Sequence, residues 1–480
     1  MFLGLDLGTS GVKAVVVDED GKAVAQGLAP LTASSPYTGW SEQDPSAWWH
    51  AACEAVLAID PEFRRAVRAI GLSGQMHGAT LIDEDHRVLR PAILWNDGRS
   101  AAMCAQIERE VPESRAITGN IAMPGFTAPK IAWVREHEPD VFAQIHKVLL
   151  PKDYLRLCMT GAMASDMSDS SGTLWLDVAK RAWSDEMLAA TGLTRKNMPD
   201  LFEGTEQSGV LLADVASAWG MDRVPVAGGG GDNAAGAVGI GVVEDGDALL
   251  SLGTSGVTFV ATRDFRPNPD GAVHAFCHCL PDQWHQMAVH LSAASCLDWA
   301  ARLLNIGGPG ELIALAETVT PGAGPELFLP FLNGERTPHN NERLRAGWIG
   351  CDGSTTPARL ASAVLEGIAF AHADGLAALR NAGTTVDRMT VIGGGSRSTH
   401  WGRILATSLD VTLDYLQDGE LGPSMGASRL ARMCVTGESP ATVCTRPALH
   451  TTIEPDESLH TALGQKLWEY RRIVGVMDTF

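Results

Sequence analysis

FLGLDLGTSGVKAVVV, residues 2–17, decides the architecture, because its centre returns later in the chain. Leu7-Gly8-Thr9-Ser10-Gly11-Val12 is repeated letter for letter as Leu252-Gly253-Thr254-Ser255-Gly256-Val257, half a chain length further on. Each copy follows an apolar run (2–5 and 248–250) and precedes another (12–17 and 257–261), so both read as strand, tight turn, strand. Six shared letters in the same context indicate duplication. Two related domains are expected, 1–240 and 241–480.

Outward from the first copy, Asp18-Glu19-Asp20-Gly21 supplies a hairpin turn into a third strand, 23–28. Asp44-Pro45 has the N-cap and first-turn chemistry of a helix that carries Trp48 and Trp49 inward. Strands such as 69–73 then alternate with helical stretches such as 129–137, which predicts α/β layers. The two copies differ at one place: Asp6 precedes the first motif and Ser251 the second. A scaffold that keeps its turn but only one acid suggests a ligand gripped from both sides, with acidic chemistry on one.

A Gly-Thr-Ser turn offers backbone N–H groups and two hydroxyls at close approach, which suits phosphate oxygens. Other nucleotide motifs are missing. Gly21-Lys22 lacks the Walker pattern, and no complete GxGxxG occurs. Asp6 interrupts an apolar strand, where a carboxylate needs a partner, water or a metal. Asp232 follows four glycines and opens an Ala-rich, helical stretch. It reads equally as a general base at a domain junction and as an ordinary N-cap. Gly393-Gly394-Gly395, between a strand (389–392) and a helix (401–408), would let a flat ring lie against the backbone. Gln75-Met76-His77 is a polar insertion at a strand end. Trp95-Asn96-Asp97-Gly98-Arg99 reads as a turn, and Gly334-Glu335-Arg336-Thr337-Pro338-His339 as an exposed loop. His274, Cys277, His278, Cys279, His285 and His290 do not read as a zinc site. In a strand, His274 and His278 would face one way and Cys277 and Cys279 the other, and the cysteine gap is too short.

Among the 480 residues, 45% are hydrophobic and 20% charged, a globular profile. Lys+Arg 37 against Asp+Glu 57 leaves a net charge of −20, which disfavours nucleic acid and anionic membrane as partners. No apolar run approaches the ~20 residues of a membrane span. Nine scattered cysteines without a CxxC pair, and an N-terminus that enters a strand at once, fit a cytoplasmic protein with reduced thiols.

FLGLDLGTSGVKAVVVDEDG resembles the first phosphate motif of the FGGY carbohydrate kinases, LLSLGTSGVTFV their second, and VIGGGSRSTHW their adenosine motif; the resemblance covers about 2–431. It implies two ribonuclease H-like domains of the actin-like ATPase fold, with a catalytic cleft between them. It implies ATP and Mg²⁺ as cofactors, a small-molecule sugar as the other partner, and a homodimer as a possible assembly. Asp232 is then the catalytic base and Asp6 the carboxylate near Mg²⁺, acting through water. Met76 and His77 line the sugar pocket. Gly8, Thr9, Ser10, Lys13, Gly253 and Thr254 lie along the phosphates, with Gly394 and Gly395 near adenosine. SGQMHGATLID, LRPAILWNDGR, LLPKDYLRL, GGGDNAAGAVG and GERTPHNN point within the family to D-xylulose, phosphorylated at O5. The alternatives are ribulose, gluconate or glycerol. Glycerol kinases, however, carry Gln-Arg-Glu where this chain has Gln75-Met76-His77. An ATPase resembling actin or the chaperones, with no acceptor, is the rival from another class.

Overall fold

The computed structural model describes residues 1–417 and 422–477. Residues 2–30 form the antiparallel meander expected of them, Phe2–Leu7, Gly11–Val17 and Ala23–Pro30. Asp18 closes the second turn, its Oδ1 accepting from the N–H groups of Asp20 (3.0 Å) and Lys22 (2.8 Å). Ala69–Gly74 and Pro225–Ala227 then add in parallel on the other side of Phe2–Leu7, and Gln207–Val210 closes that edge. The second sheet repeats the plan. Ala248–Leu252, Gly256–Thr262 and Trp284–His290 form the meander, and Arg388–Ile392 and Thr412–Leu416 add in parallel. This duplicated five-strand core is the ribonuclease H-like unit of the actin-like ATPases.

The alternation of a strand assigns its two faces. Leu3, Leu5 and Leu7 are fully buried against Trp48, Ala52 and Val56 of the helix Pro45–Leu57, each contributing ~2 kcal/mol. That helix starts where the sequence placed it, with Asp44 accepting from Ser46 N–H at 2.9 Å. On the opposite face, Phe2, Gly4 and Asp6 look towards the second half of the chain. A Cβ on Gly4 would lie 1.9 Å from Ser424 O, and one on Gly71 1.8 Å from Ala427 O. Only glycine permits so close a backbone approach.

The neighbour is the helix Gly422–Thr436, which follows the last core strand of the second sheet yet lies on the first. Its counterpart Asp232–Ile240 follows the last core strand of the first sheet, and its Ala237 and Ile240 share an apolar cluster with Leu249, Phe259 and Ala261 of the second. The two helices also pack on each other, where a Cβ on Gly426 would lie 1.7 Å from Ala235 O. The second core thus lends a helix to the first, and the two helices meet between the cores. Asp6 and Ser251 are the next residues on the two faces so joined, at the mouth of the cleft.

The helix Pro357–Asn381 is long and apolar enough to cross a membrane by length and composition alone, although Arg359, Glu366, Asp374 and Arg380 interrupt its apolar residues. In the fold, 89% of its most apolar window is buried inside the protein, so it is the central helix of the second core. Residues 449–477 also acquire a place. Leu449–Ile453 extends the second sheet, and Glu457–Met477 packs Leu459, Leu463, Tyr470 and Val474 into its core.

Candidate active site

The two identical turns do not have identical geometry. Leu7 pairs with Val12 and Asp6 with Lys13, whereas Leu252 pairs with Gly256 and Ser251 with Val257. The second turn is one residue tighter. Lys13 therefore stands opposite Asp6 on one face, and its ammonium favours the Asp6 carboxylate. The first turn is closed by Gly8 N–H on Gly11 O (2.9 Å) and braced from behind. Thr9 Oγ1 donates to Gln75 Oε1 (2.9 Å) and accepts from Trp95 Nε1 (3.1 Å), and Thr9 O accepts from Gln43 Nε2 (2.7 Å). The Thr9 hydroxyl is thus committed to holding the turn, while Ser10 is exposed. In the second turn, Gly253 O and Thr254 O accept from the N–H groups of Ala294 (2.9 Å) and Ala293 (3.0 Å).

Asp232 is not an N-cap. Gly231 takes that place, and Asp232 is the first helical residue, its Oδ1 accepting from Asn233 N (2.8 Å) and Asn233 Nδ2 (2.9 Å). Desolvation, and then the nearby Asp6 charge, push its pKa up to about 7, although the two Asn233 bonds oppose the shift. Asp6 is raised to about 6 by burial, with the Ser73 hydroxyl and Lys13 acting against it. Its buried Oδ1 has no hydrogen-bond partner among the described residues. A divalent cation fits such an oxygen, since Mg²⁺ is commonly held by one or two carboxylates plus substrate phosphates.

Asp232 opens onto a cavity of about 280 Å³, lined also by Met76, His77, Trp95, Asn233, Ser251 and Arg336. His77 sits at φ +69°, a left-handed conformation that is strained for this side chain. It is held there because its carbonyl accepts from Lys130 Nζ (2.8 Å) and Thr127 Oγ1 (3.2 Å). Its Nδ1 lies 2.6 Å from Gly172 O. A carbonyl only accepts, so Nδ1 carries the proton and Nε2 is left as an acceptor. Burial first, and then Lys130, lower the pKa of the ring to about 3, so it stays neutral. Gly231 and Gly172 make room for this pair: a Cβ on Gly231 would meet Met76 Sδ at 2.9 Å, and one on Gly172 would meet His77 Nδ1 at 2.5 Å.

A second cavity, about 760 Å³, opens at the ends of the parallel strands Arg388–Ile392 and Thr412–Leu416, lined by Gly393, Gly394, Tyr415 and Gln417 among others. Ser251 lines both cavities. Gly394 has open space above it, whereas a Cβ on Gly395 would strike Trp401 (2.6 Å) and Leu252 (2.9 Å). Gly395 therefore allows close packing rather than forming a wall.

The sequence reading missed two contributors. The segment read as an exposed loop is largely buried: Glu335 is 3% exposed and Thr337 0%. Arg336, between them, lines the smaller cavity. Nothing local in Gly334–Glu335–Arg336 signals burial, because the strand that covers it lies more than forty residues upstream. Asn233, the other, was legible only as a neighbour of Asp232. The turn at Trp95 was read correctly but is bound to the site, through Trp95 on Thr9 and the buried Asp97–Arg99 pair (2.7 Å). The strand with His274 ends at Cys277, so His278 and Cys279 fall outside it; the His285 ring stacks on Phe259 at 4.5 Å.

Two duplicated cores, a Gly-Thr-Ser turn on each, and a desolvated carboxylate lining one of two cavities that share Ser251 are the parts of a two-lobed phosphotransferase. Residues 1–239 match the N-terminal domain of the FGGY family of carbohydrate kinases and residues 248–434 its C-terminal domain. The chain belongs to that family. It is 52% identical to the xylulose kinase of Escherichia coli K12 over 98% of both chains, and 54% identical to that of Klebsiella pneumoniae over 92% of this chain and 91% of that one. The crystal structure of a xyloylose kinase from Brucella ovis is 49% identical and superposes with a TM-score of 0.97, covering 100% of this chain and 99% of that one.

Proposed function

We infer that this chain transfers the γ-phosphoryl group of ATP to O5 of D-xylulose, with Asp232 as base. The full-length likeness to xylulose kinases supports the substrate. The observation that carries the mechanism is the position of Asp232, desolvated and facing the cavity lined by Met76 and His77. The neutral His77 Nε2 accepts from a sugar hydroxyl, and Asn233 fixes the carboxylate that receives the O5 proton. As the O5–phosphorus bond forms, the bond from phosphorus to the β,γ-bridging oxygen breaks and ADP leaves. A carboxylate suffices because phosphoryl transfer is largely dissociative and the proton moves late. Gly8, Ser10, Gly253 and Thr254 offer backbone and hydroxyl groups to the phosphates, with Thr9 bracing its turn. Lys13 balances the Asp6 charge. Adenosine occupies the larger cavity, against Gly394. Asp6 would hold Mg²⁺, which, when bound, neutralises phosphate charge. The units 1–240 and 241–480 close over both substrates, and the nine unpaired thiols fit work in the cytoplasm.

The test is ADP release with Mg²⁺-ATP across D-xylulose, D-ribulose, L-ribulose, gluconate, glycerol and no acceptor. Turnover dominated by D-xylulose is expected. A clear preference for another acceptor would overturn the substrate, and equal ADP release without any acceptor would overturn the kinase.

A further inference from the structure

Arg336 is a charged side chain brought into the sugar cavity by the second core, whereas Met76, His77 and Asp232 come from the first. Its backbone is tightly held. Glu335 Oε1 accepts from Leu291 N (2.9 Å) and from Arg336 N itself (2.8 Å), while Glu335 Oε2 lies 3.3 Å from His290 Nδ1. On the other side, Thr337 N donates to Val289 O (3.1 Å) and Thr337 Oγ1 to Ala272 O (2.9 Å). Glu335 is thus turned into the protein, and no carboxylate among the described residues forms an ion pair with the guanidinium. Desolvation lowers the pKa of Arg336 but leaves it charged, because a guanidinium is not deprotonated in proteins. A half-buried guanidinium that lines a cavity, influenced by the Glu335 charge but bonded to no carboxylate among the described residues, has N–H groups to offer to ligand oxygens.

The charge makes itself felt at His77 and His274, whose pKa values it helps to lower after burial. The geometry agrees: Thr337, next in the chain, is bonded to Ala272 O, two residues before His274, and His274 and His77 both pack on Phe126 and Phe276. Arg336 therefore enters the cavity from the histidine side.

We propose that Arg336 is a specificity-determining residue that binds the O1–O2 end of the sugar while O5 lies at Asp232, so that one ketose spans both cores. The proposal rests on the assignment of this cavity to the sugar. A planar fork suits two neighbouring oxygens, and it suits a carboxylate better still. The cavity should consequently take a five-carbon sugar acid as a competitive inhibitor.

Two measurements test this. In the wild-type enzyme with Mg²⁺-ATP, D-xylonate should compete with D-xylulose and bind about tenfold tighter than neutral xylitol, as expected for a charge-assisted contact. In Arg336→Gln, the KM for D-xylulose should rise about 10–100-fold, with the KM for ATP within twofold of wild type and the xylonate advantage gone. Arg336→Lys should recover part of the sugar affinity. A KM for D-xylulose unchanged in a folded Arg336→Gln would overturn the proposal, as would a raised KM for ATP. So would xylonate binding no better than xylitol to the wild type, a result that needs no variant. Failure of the wild type to turn over D-xylulose would instead overturn the underlying substrate assignment.

Discussion

At the scale of residues, the site is two desolvated carboxylates, and the charge of Asp6 adds to the cost of ionising Asp232. As the proposed base, Asp232, with a pKa of about 7, would have to be ionised to accept a proton. The kcat/KM for D-xylulose should therefore fall about tenfold per pH unit below about 7; a flat profile down to pH 5 would contradict that role. The same shift has a stability consequence. Between about pH 4 and 7 the native protein holds a proton on Asp232 that the unfolded chain has lost, so this group's contribution makes stability fall as pH rises through that window. Asp232→Asn removes the loss and should raise Tm at pH 8 by about 1–4 °C while activity collapses, a change that thermal shift would detect. Both acids were legible in the sequence, one because it breaks an apolar strand and the other because four glycines precede it. Arg336 was not, since its burial is imposed by the strand Trp284–His290 and not by its neighbours.

At the scale of elements, the duplicated turn and its flanking strands were readable from six repeated letters. Their register was not. The same letters pair one residue differently because the second turn is held by the backbone of residues 293 and 294. The docking of the helix Gly422–Thr436 on the first sheet was invisible for a similar reason. Gly4, Gly71 and Gly426 each announce that something approaches closely, but the partner lies hundreds of residues away. Gly426→Ala should destabilise the protein by about 1–3 kcal/mol, because its Cβ has only 1.7 Å to Ala235 O. It should also lower kcat, because it displaces the helix that begins with Asp232. Gly464→Ala, on the helix Glu457–Met477 with nothing within 4 Å, should stabilise by up to about 1 kcal/mol. Denaturant unfolding of the two variants gives opposite signs if the helix contact is as described, and the same sign if it is not.

At the scale of the molecule, the charge of −20 and the α/β layering were set by composition and pattern. That two cores converge on one cleft followed from the repeat and the family resemblance together. If the groups from both cores hold the sugar as proposed, they orient its O5 in a way that a lone water cannot match. ATP hydrolysis without sugar should then run at least about 100-fold slower than sugar phosphorylation, since water cannot bridge His77 and Arg336. Comparable rates would mean that these groups do not orient the acceptor. The most direct test of the central claim compares Asp232→Asn with the wild type, measuring xylulose phosphorylation and ATP binding on the same preparations. The account predicts a loss of about 10²–10⁴-fold in kcat with ATP affinity retained. Activity within a few-fold of wild type would show that the proton of O5 goes elsewhere.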